Sequence, residues 1–420
     1  MPEFTSYLNK TSSAGKPRAD WLDSLLTILT YVFVAALPIS IALTQTTLFL
    51  LWAFWLVKCI RNGRWEGWST PIDIPLAVFL VAYLLATVFS PKFLESLAGL
   101  KKIYLLTAVY LIPFLVQSFI KWKKLASSFL VSTLASAVWG LLDINGVPHL
   151  TVSSHTMQLT VSGILMMACA FSLGFLLPFR GKIVRYIPNI MLTSGSALFL
   201  LLTHKLSSLL ALLASFILFL ALTRKRLLLG ISLIILTGGA IAVFHQPQLA
   251  LQRSDAREQK SWSWQQRSII WKTGWEIIKD RPIFGHGIID LSDYYANKRK
   301  SIGIPPPVDF NRSFGHLHNN FLQIWAISGI FGLAAFIYLM YKILFVNIKS
   351  FFLEKSDTRY YVLGIVAAQV AFLVNGLAEW NFGDSEVVTV FWVLTGLGLA
   401  FKKLTDFAKI AYKRTIAEKD

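Results

Sequence analysis

Charged residues are scarce in this sequence, where they make up 15% of the 420 residues, while hydrophobic residues make up 55%. A soluble domain usually carries about 25% charged residues, so the composition excludes an ordinary soluble protein. Apolar runs of about 18 residues or more recur between Trp21 and Phe401, and each can cross ~30 Å of hydrocarbon as a helix. We predict an all-α, polytopic membrane protein with about twelve transmembrane helices.

The apolar runs divide the chain into three parts. Residues 1–244 hold nine predicted spans, residues 245–319 form one long loop, and residues 320–420 hold three further spans and a tail. The predicted spans are Leu22–Leu43, Thr47–Ile60, Ile74–Phe89, Ile103–Ile120, Leu125–Leu142, Met157–Pro178, Ile187–Thr203, Leu206–Leu222, Leu227–Phe244, Asn320–Phe345, Tyr360–Ala378 and Val387–Phe401.

Lysine and arginine are absent from some loops, such as Asn145–His155, and cluster in the loops that alternate with them. Basic loops remain in the cytoplasm, so we expect both termini there and the long loop on the outer face. Residues 1–20 also lack the apolar core and the cleavage site of a signal peptide. The net charge of +18 therefore reflects topology and contact with membrane lipids, and it does not indicate nucleic-acid binding.

The sequence has only two cysteines, Cys59 and Cys169, and both fall in predicted spans. Neither a disulfide framework nor a cysteine zinc site is implied. The motifs HExxH and CxxC are also absent, and basic surroundings would repel a divalent cation, so we predict no metal. The side chains that could still ligate zinc in principle are His286, His316, His318 and Glu379.

One amphipathic helix is predicted within the long outer loop. Its first face carries Arg267, Trp271, Gly274, Trp275 and Ile278, and its opposite face carries Lys272, Glu276 and Lys279. Such a helix lies on the membrane or roofs a cavity. We expect it to end at Asp280-Arg281-Pro282 and to be followed by a flexible turn at Gly285-His286-Gly287.

Two histidines, His316 and His318, stand just before the apolar run that begins at Phe321. Neutral imidazole transfers protons well near pH 7, although a histidine at a membrane boundary can also be only a polar interface residue. Cations and carboxylates on the same outer face suit transfer from a lipid diphosphate, because the leaving diphosphate needs charge neutralisation and the incoming hydroxyl must lose a proton. These groups are Arg267, Arg281, Arg312, His204-Lys205, Glu379, Asp384 and Glu386.

Three segments of the chain resemble a known family. They read HLHNNFLQIWAISGIFG from His316, RSIIWKTGWEIIKDRPIFGHG from Arg267 and NGLAEWNFGDSEV from Asn375. They resemble the bacterial O-antigen ligase family, within the group that includes O-antigen polymerases and O-oligosaccharyltransferases. The resemblance implies an inverting glycosyltransferase of the inner membrane that uses neither metal nor cofactor. Such an enzyme moves a glycan from undecaprenyl diphosphate to lipid A-core at the periplasmic face.

The resemblance also implies roles for single residues. His318 matches the family's essential histidine, which we expect to act as general base; Arg267 matches its loop arginine, and Glu379 matches an acidic residue near the final span. Lys205 stands where the family usually has an arginine, and lysine lacks the bidentate fork of a guanidinium. We expect Lys205 to bind substrate, together with His316, Arg312 and Arg281.

Other functions stay open at this point. An O-antigen polymerase would use the same donor and take another lipid-linked glycan as acceptor, and an O-oligosaccharyltransferase would act on protein. A glycolipid flippase or exporter is the alternative that is not an enzyme. A transporter usually carries ionisable residues inside its spans, and no acidic or basic residue lies near the middle of a predicted span.

Overall fold

The computed structural model describes residues 20–63, 69–144, 158–177, 187–203, 205–223, 253–303 and 315–417. Within these ranges the chain is helical and has no β-strand, which confirms the predicted all-α class. The helices are α1 (Trp21–Ala36), α2 (Ile41–Asn62), α3 (Asp73–Val88), α4 (Phe93–Gly99), a 3₁₀ helix (Leu100–Thr107), α5 (Ala108–Leu115), α6 (Phe119–Ile144), α7 (Gln158–Leu176), α8 (Ile187–Leu202), α9 (Leu206–Thr223), α10 (Arg253–Asp280), α11 (Ser292–Ser301), α12 (Asn320–Leu353), α13 (Arg359–Asn375) and α14 (Ser385–Ala417).

Six helical segments in the described ranges are long and apolar enough to cross a membrane. Four shorter apolar helices, α1, α3, α8 and α13, accompany them. The chain is therefore a multi-pass membrane protein. The predicted ninth span, Leu227–Phe244, lies outside the described residues, and the total of twelve stays a prediction. The six segments are Ile41–Asn62, Phe93–Leu115, Leu159–Leu176, Leu206–Thr223, Asn320–Leu353 and Ser385–Ala411.

Two predicted spans have wrong boundaries. The run Leu22–Leu43 is not one helix, because α1 ends at Ala36 and α2 begins at Ile41. Pro38 lies between them, and proline has no amide hydrogen to continue a helix. The predicted boundaries of Ile103–Ile120 also differ from the observed ones, because helical structure begins at Phe93 in α4 and ends at Leu115 in α5.

Helix α13 lies at the centre of the described helices and packs against α7, α9, α12 and α14. Its approach to α7 is close at Gly174 and Gly364, where a Cβ on either glycine would overlap the backbone of the other helix. Such close backbone contact between small residues is common between membrane helices. Helix α13 ends at Asn375, which leads directly into the loop that carries Glu379.

Helix α12 is interrupted at Gly329, whose φ of 68° and ψ of −172° are not helical. The break separates residues 320–328 from residues 330–353. Exposed large apolar side chains occur only in the second part, beginning at Ile330 and Phe331. The predicted span Asn320–Phe345 falls within the candidate span Asn320–Leu353, but apolar composition does not reveal the break at Gly329.

Helix α10 ends at Asp280, as predicted from the proline that follows. Its buried face includes Gly274 and Ile278, as predicted. Ile270, Thr273 and Ile277 are buried, whereas Trp275 is 42% exposed and packs edge-on against Trp325. The buried face packs against α12.

Candidate functional site

The two predicted histidines lie in a short loop that is tightly bound to the start of α12. Asn319 caps the helix, since its side-chain oxygen accepts from the backbone N–H groups of Phe321 at 2.9 Å and Leu322 at 3.0 Å. Between the histidines, the buried Leu317 donates its N–H to Gln323 Oε1 at 2.8 Å. His318 itself has a φ of 46°, a left-handed conformation that persists only where neighbouring contacts impose it.

Glu379 is the centre of the site and is only 6% exposed. Its Oε2 lies 3.1 Å from His318 Nδ1, and its Oε1 accepts a hydrogen bond from Arg267 Nη2. The hydroxyl of Ser207, at the start of α9, lies 3.5 Å from the same Oε1. A buried carboxylate needs such partners, and Glu379 thereby joins residues that are far apart in the sequence.

Buried amides hold the loop of Glu379 against α12. Asn320 donates its side-chain N–H to Asn381 Oδ1, and Asn381 donates in turn to Phe372 O at 2.9 Å. Asn319 Nδ2 donates to Leu377 O at 2.8 Å. Because buried polar groups are costly when unpaired, this network fixes the position of the loop relative to His318.

The contact with Glu379 determines which nitrogen of His318 can act as a base. An ionised carboxylate only accepts hydrogen bonds, so Nδ1 carries the hydrogen in the bond to Glu379. In the neutral imidazole the lone pair is then on Nε2. A histidine oriented by a carboxylate in this way is suited to take a proton at Nε2.

His316 lies beside His318, with ring centroids 4.4 Å apart. The pKa of His316 is lowered to about 4, mainly by burial and in smaller part by the neighbouring His318, while Glu379, Asp290 and Asp384 oppose this shift. His316 is therefore neutral at pH 7 and adds no positive charge to the site.

The remaining predicted residues are placed differently. Lys205 immediately precedes α9 and is half-buried, two residues before Ser207. Arg281 follows the end of α10, roughly 20 Å along the helix from Arg267, and its Nη1 donates to Phe89 O at 3.1 Å. It is not part of the cluster around Glu379. Arg312 and His204 lie outside the described residues.

Sequence reasoning did not identify Ser207, Asn320 or Asn381 as site residues. Their signal is weak, because serine and asparagine are common at helix starts and in loops. Only the contacts of Asn320 and Asn381 with each other and with the backbone reveal their role. Among the residues that the structure describes, no group of three His, Cys, Asp or Glu side chains is arranged to hold a metal ion.

Comparison with known proteins bears on the segment that carries this site. The family model described as O-antigen ligase matches residues 190–337. Over this segment the chain is similar to the O-antigen ligase family. The matched segment includes Arg267 and His318, and Glu379 lies beyond it.

Two curated proteins are similar to shorter parts of the chain. An O-antigen ligase of Salmonella typhimurium is 30% identical over 131 residues, which are 31% of this chain and 31% of that protein. An uncharacterized protein of Haemophilus influenzae is 32% identical over 99 residues, which are 23% of this chain and 24% of that protein. The matches thus cover less than a third of either relative.

Proposed function

We propose that the protein is an O-antigen ligase, which transfers a glycan from undecaprenyl diphosphate to a hydroxyl of lipid A-core. The reaction takes place at the periplasmic face of the bacterial inner membrane, inverts the anomeric centre and uses neither metal nor cofactor. The observation that carries this proposal is the convergence of His318, Arg267 and Glu379. A base, a cation and a carboxylate meet there, and two of the three lie in the segment that matches the family.

His318 acts as the general base in this proposal. Its Nε2 takes the proton of the acceptor hydroxyl while the hydroxyl oxygen bonds to the anomeric carbon of the donor. The bond from that carbon to the diphosphate oxygen breaks, and the diphosphate leaves with the bonding electrons. One displacement from the opposite side inverts the configuration. General-base assistance of this kind is worth ~10² to 10⁴ in rate.

Arg267 stabilises the leaving diphosphate, on which negative charge grows as the bond breaks. A guanidinium presents a planar fork of N–H donors that fits phosphate oxygens. Its ion pair with Glu379 holds the arginine beside His318. Lys205, immediately before α9, adds a second positive charge two residues from Ser207, and His316 lies beside His318. Arg312, outside the described residues, stays a predicted substrate-binding residue.

The direct test is transfer by purified protein in liposomes given undecaprenyl-diphosphate glycan and lipid A-core. We expect the lipid A-core conjugate to form without ATP and in the presence of a chelator. Lys272→Gln serves as a control variant, because it removes an exposed charge on the face of α10 opposite Arg267, and it should transfer the glycan as the wild type does.

Each other outcome of this assay contradicts the ligase proposal. Longer lipid-linked chains would identify a polymerase, and glycan on an added acceptor protein would identify an oligosaccharyltransferase. Movement of the donor across the liposome membrane without any transfer would identify a flippase.

A further inference from the structure

His286 lies in a turn that is packed closely against α12. The glycines on either side of it, Gly285 and Gly287, have φ values of 72° and 99°. A Cβ on Gly285 would overlap the backbone of residues 327–329, and a Cβ on Gly287 would overlap the side chain of Ser90. Both positions therefore require glycine, and the turn they form holds His286 at 2% exposure.

The side chain of His286 caps the end of the helix that carries Arg267. Its Nε2 lies 3.0 Å from the carbonyl oxygen of Ile277, so the imidazole donates to that oxygen. Ile277 is in the last turn of α10, where carbonyl groups lack partners within the helix. The N–H of Arg281, which would continue the helical pattern to Ile277, instead bonds to Ile278 O at 3.2 Å.

The backbone of the same turn caps the interrupted helix that follows His318. His286 N donates to Ala326 O and Gly287 N donates to Ile327 O, both at 2.9 Å. In a continuous α12 the N–H of Ile330 would bond to Ala326, but it bonds to Pro282 O at 2.8 Å. The break at Gly329 thus leaves carbonyl groups without partners within the helix, and the backbone N–H groups of the turn donate to them.

The carbonyl of His286 makes a third connection, because it accepts from the Ser90 hydroxyl at 2.7 Å, just beyond the end of α3. Burial lowers the pKa of His286, with smaller effects in the same direction from Arg281 and Lys298, while the bond to Ile277 O and the charge of Asp280 raise it. The ring is therefore neutral, with its hydrogen on Nε2. Within the described part of the chain its Nδ1 is buried and makes no hydrogen bond, so the bond to Ile277 O is the ring's hydrogen bond there, and the ring of Tyr294 packs beside it at a centroid distance of 4.5 Å.

We propose that His286 is a positioning residue that fixes the distance between Arg267 and His318. It joins the C-terminal end of the Arg267 helix to the C-terminal end of residues 320–328, the helical segment that follows His318. This inference rests on the proposed roles of Arg267 and His318. Because both helices are rigid, a shift where they are joined is carried to the reacting groups, and a misplacement of ~1 Å can cost ~10²-fold in rate.

The kinetic test compares His286→Leu, which removes the N–H donor, with His286→Gln, whose amide N–H can reach Ile277 O. We expect the leucine variant to lose ~10- to 100-fold in kcat, with KM for lipid A-core changed by less than about twofold. The glutamine variant should recover most of the loss. If His286→Leu does not fold, His286→Asn replaces it, because its shorter amide cannot reach Ile277 O.

Two controls separate positioning from general loosening. Ser90→Ala removes another bond to the same turn without affecting α10, and we expect it to keep nearly full kcat. In an Arg267→Ala background, His286→Leu should lower kcat further by less than about twofold, because the arginine whose position it sets is gone. Equal losses for Ser90→Ala and His286→Leu, or fully additive losses with Arg267→Ala, would contradict the inference.

A distance measurement tests the same inference without catalysis. Spin labels on Lys272→Cys and Leu377→Cys, both exposed positions, report the separation of α10 from the loop of Glu379; Cys59 and Cys169 are buried. His286→Leu should broaden or shift the distance distribution, and His286→Gln should not. An unchanged distribution in the leucine variant overturns the inference. Full activity of Arg267→Ala and His318→Ala would instead refute the proposed function, and the distance result would still stand.

Discussion

At the scale of single residues, the two histidines differ in what they contact. His318 is bonded to Glu379 through Nδ1, whereas His316 packs against the ring of His318. We predict that His318→Ala lowers kcat by ~10² to 10⁴, because the base is lost, while His316→Ala lowers it by less than about tenfold. Transfer assays on both variants at matched protein amounts measure this difference.

Two results would contradict this assignment of the histidines. One is wild-type transfer by His318→Ala. The other is activity that disappears with a chelator and returns with zinc, which would indicate a metal in place of a base. Binding of the lipid diphosphate by His318→Ala serves as the control, since the variant should still hold the donor through Arg267.

Glu379 is the residue whose loss should disturb both partners at once. In Glu379→Gln the amide can still contact His318, but it no longer balances the charge of Arg267. We predict a loss of ~10² or more in kcat together with a lower Tm, because removing one partner of a buried ion pair leaves the other uncompensated. Transfer assays and thermal unfolding of the purified variant measure the two effects.

The control for Glu379 is Ser207→Ala, which removes only the weak contact of 3.5 Å. It should change kcat by less than about threefold. Normal kcat in Glu379→Gln with a lowered Tm would show that the carboxylate serves the fold alone.

At the scale of elements, Gly274 governs how closely α10 approaches the histidine loop. A Cβ at this position would stand 2.7 Å from Leu317 Cδ1, and Leu317 is buried between the two histidines. We predict that Gly274→Ala destabilises the protein by ~1 to 3 kcal/mol through overpacking and lowers kcat. Combining it with Leu317→Ala should recover part of the kcat, which unfolding and transfer assays measure.

Gly140→Ala provides the matched control, because a Cβ on this helical glycine meets no atom within 4 Å. It should leave kcat unchanged and should not lower Tm. Equal changes of kcat and Tm in Gly274→Ala and Gly140→Ala would mean that the close approach to Leu317 does not affect activity or stability.

The elements also show how far a sequence can be interpreted. Apolar runs predict most helices, and Pro282 marks the end of α10 correctly, because these signals act within a few neighbouring residues. The break at Gly329 depends on the turn at Gly285–Gly287, which satisfies the opened carbonyl groups, and no local pattern records that partner. The exposure of Trp275 on α10 was mispredicted for the same reason, since it depends on packing against α12.

For the site, the residue types could be predicted from the sequence, but their contacts could not. Histidine, arginine and glutamate were selected from the sequence by residue type and by resemblance, but their meeting point was not. Arg267 and Glu379 are separated by 112 residues, and only the folded chain shows that one carboxylate contacts both Arg267 and His318. Asn320 and Asn381 were missed because buried amides acquire a role only through their partners.

At the scale of the whole molecule, the proposed orientation can be tested by labelling single cysteines. We predict that, in spheroplasts with an intact inner membrane, Ser261→Cys reacts with an impermeant thiol reagent and Ser356→Cys does not. Ser261 belongs to the long loop of residues 245–319, which the alternation of basic loops places outside. Ser356 lies in a loop with basic residues, and such loops are retained in the cytoplasm. Labelling of Ser356→Cys alone would reverse the orientation of every span.

The break in α12 has a consequence for which substrates can react. Exposed large apolar side chains of α12 begin at Ile330, and the nine residues of 320–328 that precede the break are ~13 Å of helix. In the proposed orientation, with the side chains from Ile330 onwards in lipid, the histidines at the far end would stand above the hydrocarbon by up to roughly that distance. For the proposed ligase, an acceptor would therefore have to extend its hydroxyl well beyond its own headgroup, and we expect glycolipids truncated near the bilayer surface to be too short to accept the glycan.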